Sequence, residues 1–284
     1  VTAQHQVGVV GAGTMGAGIA QCAAAAGMPV IVIDPDPAAA ERARRSIRAS
    51  LRSSVLLGRG PRPGEVAEII ERIRWSQRVE DLGDATFVIE SVTERVQLKH
   101  GVFAELDRVC QPSAVFASGT SAIPIADLAA RTGRPERMLG LHFMNPAPLT
   151  EAVEVITTAQ TAPDTLTIAL DFLGALGKRG IVVGDGPGFV VNRVLMLAIA
   201  EAVAITESGT DAATVDALFE GCLGHRMGPL RTADLIGLDN VADTLAVLRG
   251  ATGDGRYRVP DSLAALVRDG HLGRKSGRGF HAYP

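Results

Sequence analysis

Short apolar runs alternate with amphipathic stretches through the first two thirds of the chain, and then the short runs stop. Residues 6–10 form the first run, which reads as a strand. It enters Gly11-Ala12-Gly13-Thr14-Met15-Gly16-Ala17-Gly18; residues 19–26 then have helical character and end at Gly27. Residues 29–33 are the next apolar run, and Asp34 closes it. A long polar helix is expected over 37–57, with Pro37 suited to its first turn. A Gly/Pro/Arg loop over 58–64 and a second helix over 65–73 follow. Residues 85–90 and 114–117 read as buried strands around a helix over 94–110, where Val102, Phe103 and Leu106 share one face. Pro124 starts another helix. The stretch 141–156 turns at Asn145-Pro146 and again near Pro148. It resumes an alternation ending Val153-Glu154-Val155-Ile156, so two strands joined by a proline-bearing loop are expected. A helix over 163–176 and a last strand over 179–183 complete this half.

Strands alternating with helices predict an α/β fold, a Rossmann-type doubly wound parallel sheet whose ligands collect at the carboxyl ends of its strands. From Phe189 onward only helices are expected: 189–208, 211–222, 230–236, 239–248 and 261–269. The boundary is placed at the break Gly184-Asp185-Gly186-Pro187-Gly188, giving a sheet-containing domain over 1–186 and an all-α domain over 187–284. The helix over 189–208 carries very few charges and is expected to be largely buried. A buried helix near the boundary suggests a packed partner, so a homodimer through the helical domain is expected. The glycine-rich stretch 270–284 either folds back to a ligand or is a loose end.

Composition narrows the field. The chain has 284 residues, 46% of them hydrophobic and 21% charged, which is ordinary globular protein. A formal net charge of -3, with no basic block, argues against nucleic-acid and membrane-surface binding. Three scattered cysteines, Cys22, Cys110 and Cys222, form neither a zinc spacing nor a disulfide framework. No metal is expected, and a reducing cytoplasm is the simplest setting.

Two stretches carry candidate chemistry. Strand, glycine-rich turn, helix, strand and acid in that order form the dinucleotide fingerprint in its full context. Gly11 permits the tight turn, Gly13 lets the backbone approach a pyrophosphate, and Gly16 lets helix and strand pack closely. The helix N-terminus supplies N–H groups and partial positive charge. Asp34 accepts hydrogen bonds from a ribose diol and repels a 2′-phosphate, which selects NAD over NADP. The second stretch places His142 and Glu154 at the ends of adjacent strands. A carboxylate there fixes the tautomer of the imidazole and stabilises the imidazolium, making a general base; a core histidine facing a glutamate fits the same pattern. Glu90, Glu94 and the stretch Ser118-Gly119-Thr120-Ser121 follow strands and belong on the ligand side, although a serine there is more often a helix cap.

In series, VGVVGAGTMGAGIAQ, VIESVTERVQLK, ASGTSAIPI, GLHFMNPAPLTEAVEVI, DGPGFVVNR, MGPLRTADLIGLD and GRKSGRGF resemble the L-3-hydroxyacyl-CoA dehydrogenase family over nearly the whole chain. The resemblance implies a Rossmann domain, a helical dimerisation domain, and an active site in the cleft between them. It implies NAD held by Gly11, Ala12, Gly13, Thr14, Met15, Gly16 and Asp34, with Glu94, Lys99, Ser121 and Lys275 also near it. It implies that His142 is the general acid/base, oriented by Glu154, and that Ser121 and Asn192 position the reacting groups. Ser50, Ser121, His142 and Asn192 are the expected substrate contacts, and the substrate is a 3-hydroxyacyl thioester.

Three departures stand out. Gly119 replaces the family's asparagine. Leu56-Leu57-Gly58-Arg59 replaces a stretch that tends to carry lysines near the acyl carrier's path. Gly224-His225-Arg226-Met227-Gly228-Pro229 lacks the usual apolar lead-in. The variant resembles the branch acting in secondary metabolism, where a glyceryl group on an acyl carrier protein is oxidised toward a polyketide extender unit. β-Hydroxyacid dehydrogenases share the layout but use a lysine on the first helix of the helical domain, and residues 188–203 contain none. A non-catalytic NAD-binding structural or sensor protein is the reading from a different class. The presence together of Ser121, His142, Glu154 and Asn192 favours an enzyme.

Overall fold

The computed structural model describes residues 5–58, 60–62 and 64–283. Arg59, one of the family departures, therefore lies outside the described residues. The chain divides between Asp185 and Gly186 into two compact units.

The first unit begins with β1 (Val7–Val10), α1 (Thr14–Ala25), β2 (Val30–Ile33), α2 (Pro37–Leu56), α3 (Glu65–Glu71) and β3 (Ile73–Ser76). It continues through β4 (Phe87–Glu90), α4 (Val96–Val109), β5 (Val115–Ser118) and α5 (Ile125–Ala129). It ends with β6 (Met138–Phe143), β7 (Ala152–Thr157), α6 (Pro163–Ala175) and β8 (Arg179–Gly184). The strands form one sheet in the order β3-β2-β1-β4-β5-β6-β7-β8. Pairing is parallel from β3 to β6, antiparallel between β6 and β7, and parallel again between β7 and β8. The sheet is thus mixed rather than wholly parallel, because the proline-bearing loop after β6 reverses the chain directly, which an antiparallel pair permits. β1, β2, β4 and β5 are buried at every position, since helices cover both faces.

Strand β3 escapes the sequence pattern. Ile73-Arg74-Trp75-Ser76 is an edge strand of four residues that follows α3 almost without a break, and only Ile73 is buried. So short an alternation, beginning where helical periodicity ends, has no signature of its own. Arg44 lies 5.5 Å over the Trp75 ring and covers this edge.

The second unit is all helical: α7 (Val191–Glu207), α8 (Ala212–Leu223), α9 (Pro229–Ile236), α10 (Leu238–Thr252) and α11 (Asp261–Arg268). Its core gathers Met196, Ile199, Val203, Leu230 and Leu245. Helix α7 corrects an expectation. It buries only Met196, Ile199, Ala200, Ala202 and Val203, while Val194 is 64% exposed. The other four helices of the unit cover only part of it.

The glycine-rich stretch after α11 is neither loose nor ligand-bound by necessity: it folds back onto two buried acids. Asp234, on α9, accepts from Phe280 N and His281 N at 2.9 Å each and from the Tyr283 hydroxyl at 3.0 Å. Asp216, on α8, meets His281 Nε2 at 2.8 Å and accepts from Leu230 N at 2.8 Å. A side chain at Gly279 would overlap the Asp234 carboxylate, which is why that position is glycine. Among the described residues no helix is long and apolar enough to cross a membrane.

Candidate active site

The turn after β1 answers two separate steric demands and leaves a third position open. Gly11 has φ +103°, and a Cβ there would lie 2.6 Å from the carbonyl oxygen of Ser91. A Cβ on Gly16 would collide with the carbonyl oxygen of Gly11, so α1 can lie against the turn only with glycine at that place. Gly13 is exposed and its Cβ would meet nothing within 4 Å. Open space over a bare backbone at a helix start is what an approaching phosphate requires. Helix α1 starts at Thr14 with no side-chain cap and no acid in its first turn, leaving its N–H groups and partial charge available to an anion.

Asp34 closes β2. Its Oδ2 accepts from Ala12 N at 2.7 Å and its Oδ1 from Asp36 N at 2.9 Å, which fixes the carboxylate beside the turn while each oxygen keeps acceptor capacity. A cleft of about 930 Å³ runs over this surface, lined by Gly11, Ala12, Gly13, Thr14, Asp34 and Val92. Its volume, the uncapped helix end and the fixed acid fit a dinucleotide. Met15 differs from its neighbours: its side chain packs against the apolar core, and it is not among the residues that line the cleft. Gly16 is buried and acts through packing.

His142 and Glu154 are direct partners in the antiparallel β6–β7 register. Nδ1 of His142 lies 2.7 Å from Oε2 of Glu154, and the two side chains are 6% and 7% exposed. Burial makes this a desolvated, oriented pair and not a surface contact. The intervening loop turns through a cis Asn145–Pro146 peptide.

Ser121 follows β5, and its amide donates to Glu94 Oε1 at 2.8 Å. The same oxygen accepts from the Thr120 hydroxyl at 2.5 Å. Lys99 is 1% exposed and sits between Glu90, at 2.7 Å, and Glu94, at 3.1 Å. Neither Glu94 nor Lys99 is among the residues that line the cleft. Ser50 is half-buried on α2 and likewise not among them. Asn192 and Lys275 belong to the second unit. Asn192 lies in the first turn of α7, and the Lys275 ammonium is 2.6 Å from Asp239. The role of Glu90 was not legible in advance. Its one signal is an acid closing a strand, Phe87-Val88-Ile89-Glu90, that is buried throughout.

Residues 6–186 match the family model for the 3-hydroxyacyl-CoA dehydrogenase NAD binding domain, and residues 188–283 match that for the 3-hydroxyacyl-CoA dehydrogenase C-terminal domain. The chain belongs to the 3-hydroxyacyl-CoA dehydrogenase family. The glycine turn, Asp34, Ser121, His142 and Glu154 fall in the first matched domain, Asn192 and Lys275 in the second. A 3-hydroxybutyryl-CoA dehydrogenase of Bradyrhizobium diazoefficiens is 39% identical over 279 residues, 98% of this chain and 95% of that protein. The crystal structure of Mycobacterium tuberculosis FadB2 aligns with a TM-score of 0.96 at 39% identity, covering 99% of this chain and 100% of that one. That of (S)-3-hydroxybutyryl-CoA dehydrogenase PaaH1 from Ralstonia eutropha aligns with a TM-score of 0.91 at 36% identity, over 99% and 100% of the two chains. As a 3-hydroxyacyl-CoA dehydrogenase by family, the protein carries the fold, the cofactor domain and the histidine–glutamate pair together.

Proposed function

We propose that this chain oxidises the 3-hydroxyl of a 3-hydroxyacyl-CoA thioester with NAD. The buried His142–Glu154 pair carries the reading. An ionised Glu154 can only accept, so Nδ1 of His142 is the donor and Nε2 is the nitrogen that takes the hydroxyl proton. Glu154 then stabilises the imidazolium that results. NAD, held at the glycine turn, Asp34 and the N-terminus of α1, supplies the hydride acceptor. Ser121 and Asn192 position the substrate oxygen and its neighbours, and Ser50 and Lys275 contact the bound ligands. What the protein adds is orientation and a poised base. The test is NADH formation from 3-hydroxybutyryl-CoA with NAD and with NADP. Turnover with NAD supports the reading, and an inert protein that still binds NADH returns it to a binding role.

A second reading replaces CoA by an acyl carrier protein, with a glyceryl thioester as substrate. The observation behind it is the end of α2, where Leu56 and Leu57 are 87% and 72% exposed in the stretch that lacks the family's lysines. Strong preference for the CoA ester over glyceryl-carrier protein would reject it. The exposed apolar side of α7 supports a homodimer formed through the helical unit, measurable as the mass in solution. A cytoplasmic setting completes the proposal; all three cysteines are free thiols, as a reducing compartment keeps them.

A further inference from the structure

A second groove opens on the first unit and shares none of its described lining residues with the cleft at the glycine turn. Its volume is about 640 Å³, and it lies between the last turns of α1, the α2–α3 pair, the loop after β6 and the turn after α6. That size is ordinary for a small-molecule site. Gln21, on α1, lines it and is 5% exposed, yet no hydrogen bond engages its amide among the described residues. A buried polar group without a partner costs stability, so this one calls for an occupant.

The chemistry of the walls selects that occupant. Lys178 donates to the carbonyl of Thr150 at 2.7 Å and meets no carboxylate among the described residues. Two of its three N–H groups and both N–H groups of the Gln21 amide are therefore unused, against a single amide oxygen. A wall with that excess of donors suits a group that only accepts. Arg72, the other cation among the described lining residues, is already engaged: it pairs with Glu68 at 3.5 Å and donates to the carbonyl of Ala24 at 3.4 Å. Glu65 stands on the same α3 side and repels a second negative charge there. One cation with no counter-ion fits a monoanion better than a phosphate, which carries more charge. Leu51, Pro148, Leu149 and Leu176 offer apolar contact, with Leu149 72% exposed. Burial pushes the Cys22 thiol up to about 11 against the pull of Lys178, so that part of the wall stays neutral.

We propose that this groove binds an aliphatic monocarboxylate, with the carboxylate held by Lys178 and Gln21 and the chain laid over Leu149 and Leu176. The site stands independently of the reaction assigned above.

The test uses the full-length chain and titration calorimetry with octanoate, octanedioate and octanamide. Octanoate should bind with a Kd below about 1 mM, as one charge-assisted contact and a covered apolar chain allow. Octanedioate and octanamide should bind at least roughly tenfold more weakly, the first repelled at Glu65 and the second lacking a charge for Lys178. Lys178→Met and Gln21→Leu should each weaken octanoate at least roughly tenfold while the NADH Kd stays within about twofold of the parent. Octanoate resembles an acyl chain, so the place of binding is read by mass spectrometry. It should slow alkylation of the half-buried Cys22 and leave that of the exposed Cys222 unchanged. Gln21→Leu should not lower the melting temperature of the ligand-free protein, because the leucine replaces an amide that bonds to nothing. Lys178→Met also loses the bond to Thr150; if it fails to fold, Gln21→Leu and the Cys22 readout decide. Failure of octanoate to bind, equal affinity for all three compounds or in both variants, or an unprotected Cys22 would each overturn the site. A lowered melting temperature in Gln21→Leu with octanoate affinity retained would return the amide to the fold and overturn it likewise.

Discussion

The phenol of Tyr283 donates to the carboxylate of Asp234 across 49 positions of chain, at 3.0 Å. Burial, and then the Asp234 charge beside it, push the Tyr283 hydroxyl up to about 12. Both causes oppose a phenolate next to an acid that is itself 1% exposed. Because the folded value lies above the unfolded one, the native state holds a proton that the unfolded state has released. The contribution to stability is complete below pH ~10 and is lost as pH rises toward ~12. Tyr283→Phe should therefore flatten the alkaline decline of the melting temperature over that window, and should delete the late component of tyrosine ionisation measured by absorbance. An alkaline slope identical to the parent's would refute the assignment.

Gly13 and Gly16 should separate binding from folding. A methyl group at Gly13 enters open space, so Gly13→Ala should keep the parent melting temperature. It should weaken NADH binding by roughly tenfold or more, the loss expected when one charge-assisted bond from phosphate to backbone is obstructed. A methyl at Gly16 meets the carbonyl of Gly11, so Gly16→Ala should destabilise the fold by about 1–3 kcal/mol even without ligand. Calorimetry of both variants with and without NADH distinguishes them. Equal melting temperatures with equal affinities would contradict the distinct roles of the two positions.

Asp34 should set the choice of dinucleotide. Its carboxylate stands in the same cleft as Arg42 and Arg78, and Arg42 is held at 3.1 Å by Asp36. Asp34→Ser removes the charge that repels a 2′-phosphate and leaves guanidinium groups that attract one. The ratio of kcat/KM for NAD over NADP should fall by at least roughly tenfold, which needs only ~1.4 kcal/mol of differential binding. A ratio unchanged in this variant would move the discrimination elsewhere.

The parts of the molecule that could be read from the chain are those governed by local rules. Gly11 and Gly16, at fixed offsets after an apolar run, each face a separate backbone carbonyl while Gly13 faces open space, so the turn was legible residue by residue. His142 and Glu154 were legible because a short proline loop between alternating strands brings them opposite one another. Less accessible were features whose cause lies far along the chain. Asp234 is covered by a stretch more than 40 residues later, as the 46-residue span to Phe280 shows, and no periodicity announces such a partner. Lys99 was expected near the cofactor from the family resemblance; its pairing with the buried carboxylate of Glu90 had no local signal, since that acid drew notice only as a strand end. Strand β3 was lost to its brevity at the sheet edge. Helix α7 read as buried because its sequence is apolar, while the packing of one chain covers only part of it.

The account depends on His142 as the group that exchanges a proton with the substrate. His142→Gln keeps the shape of the site and removes the base, and Glu154 stays on the same strand. The direct measurement is kcat for NADH formation beside the NADH Kd of the same preparation. The predicted result is an unchanged Kd with kcat lower by roughly 100-fold or more, the range for losing a general acid/base. Parent-level turnover in His142→Gln would contradict the assignment.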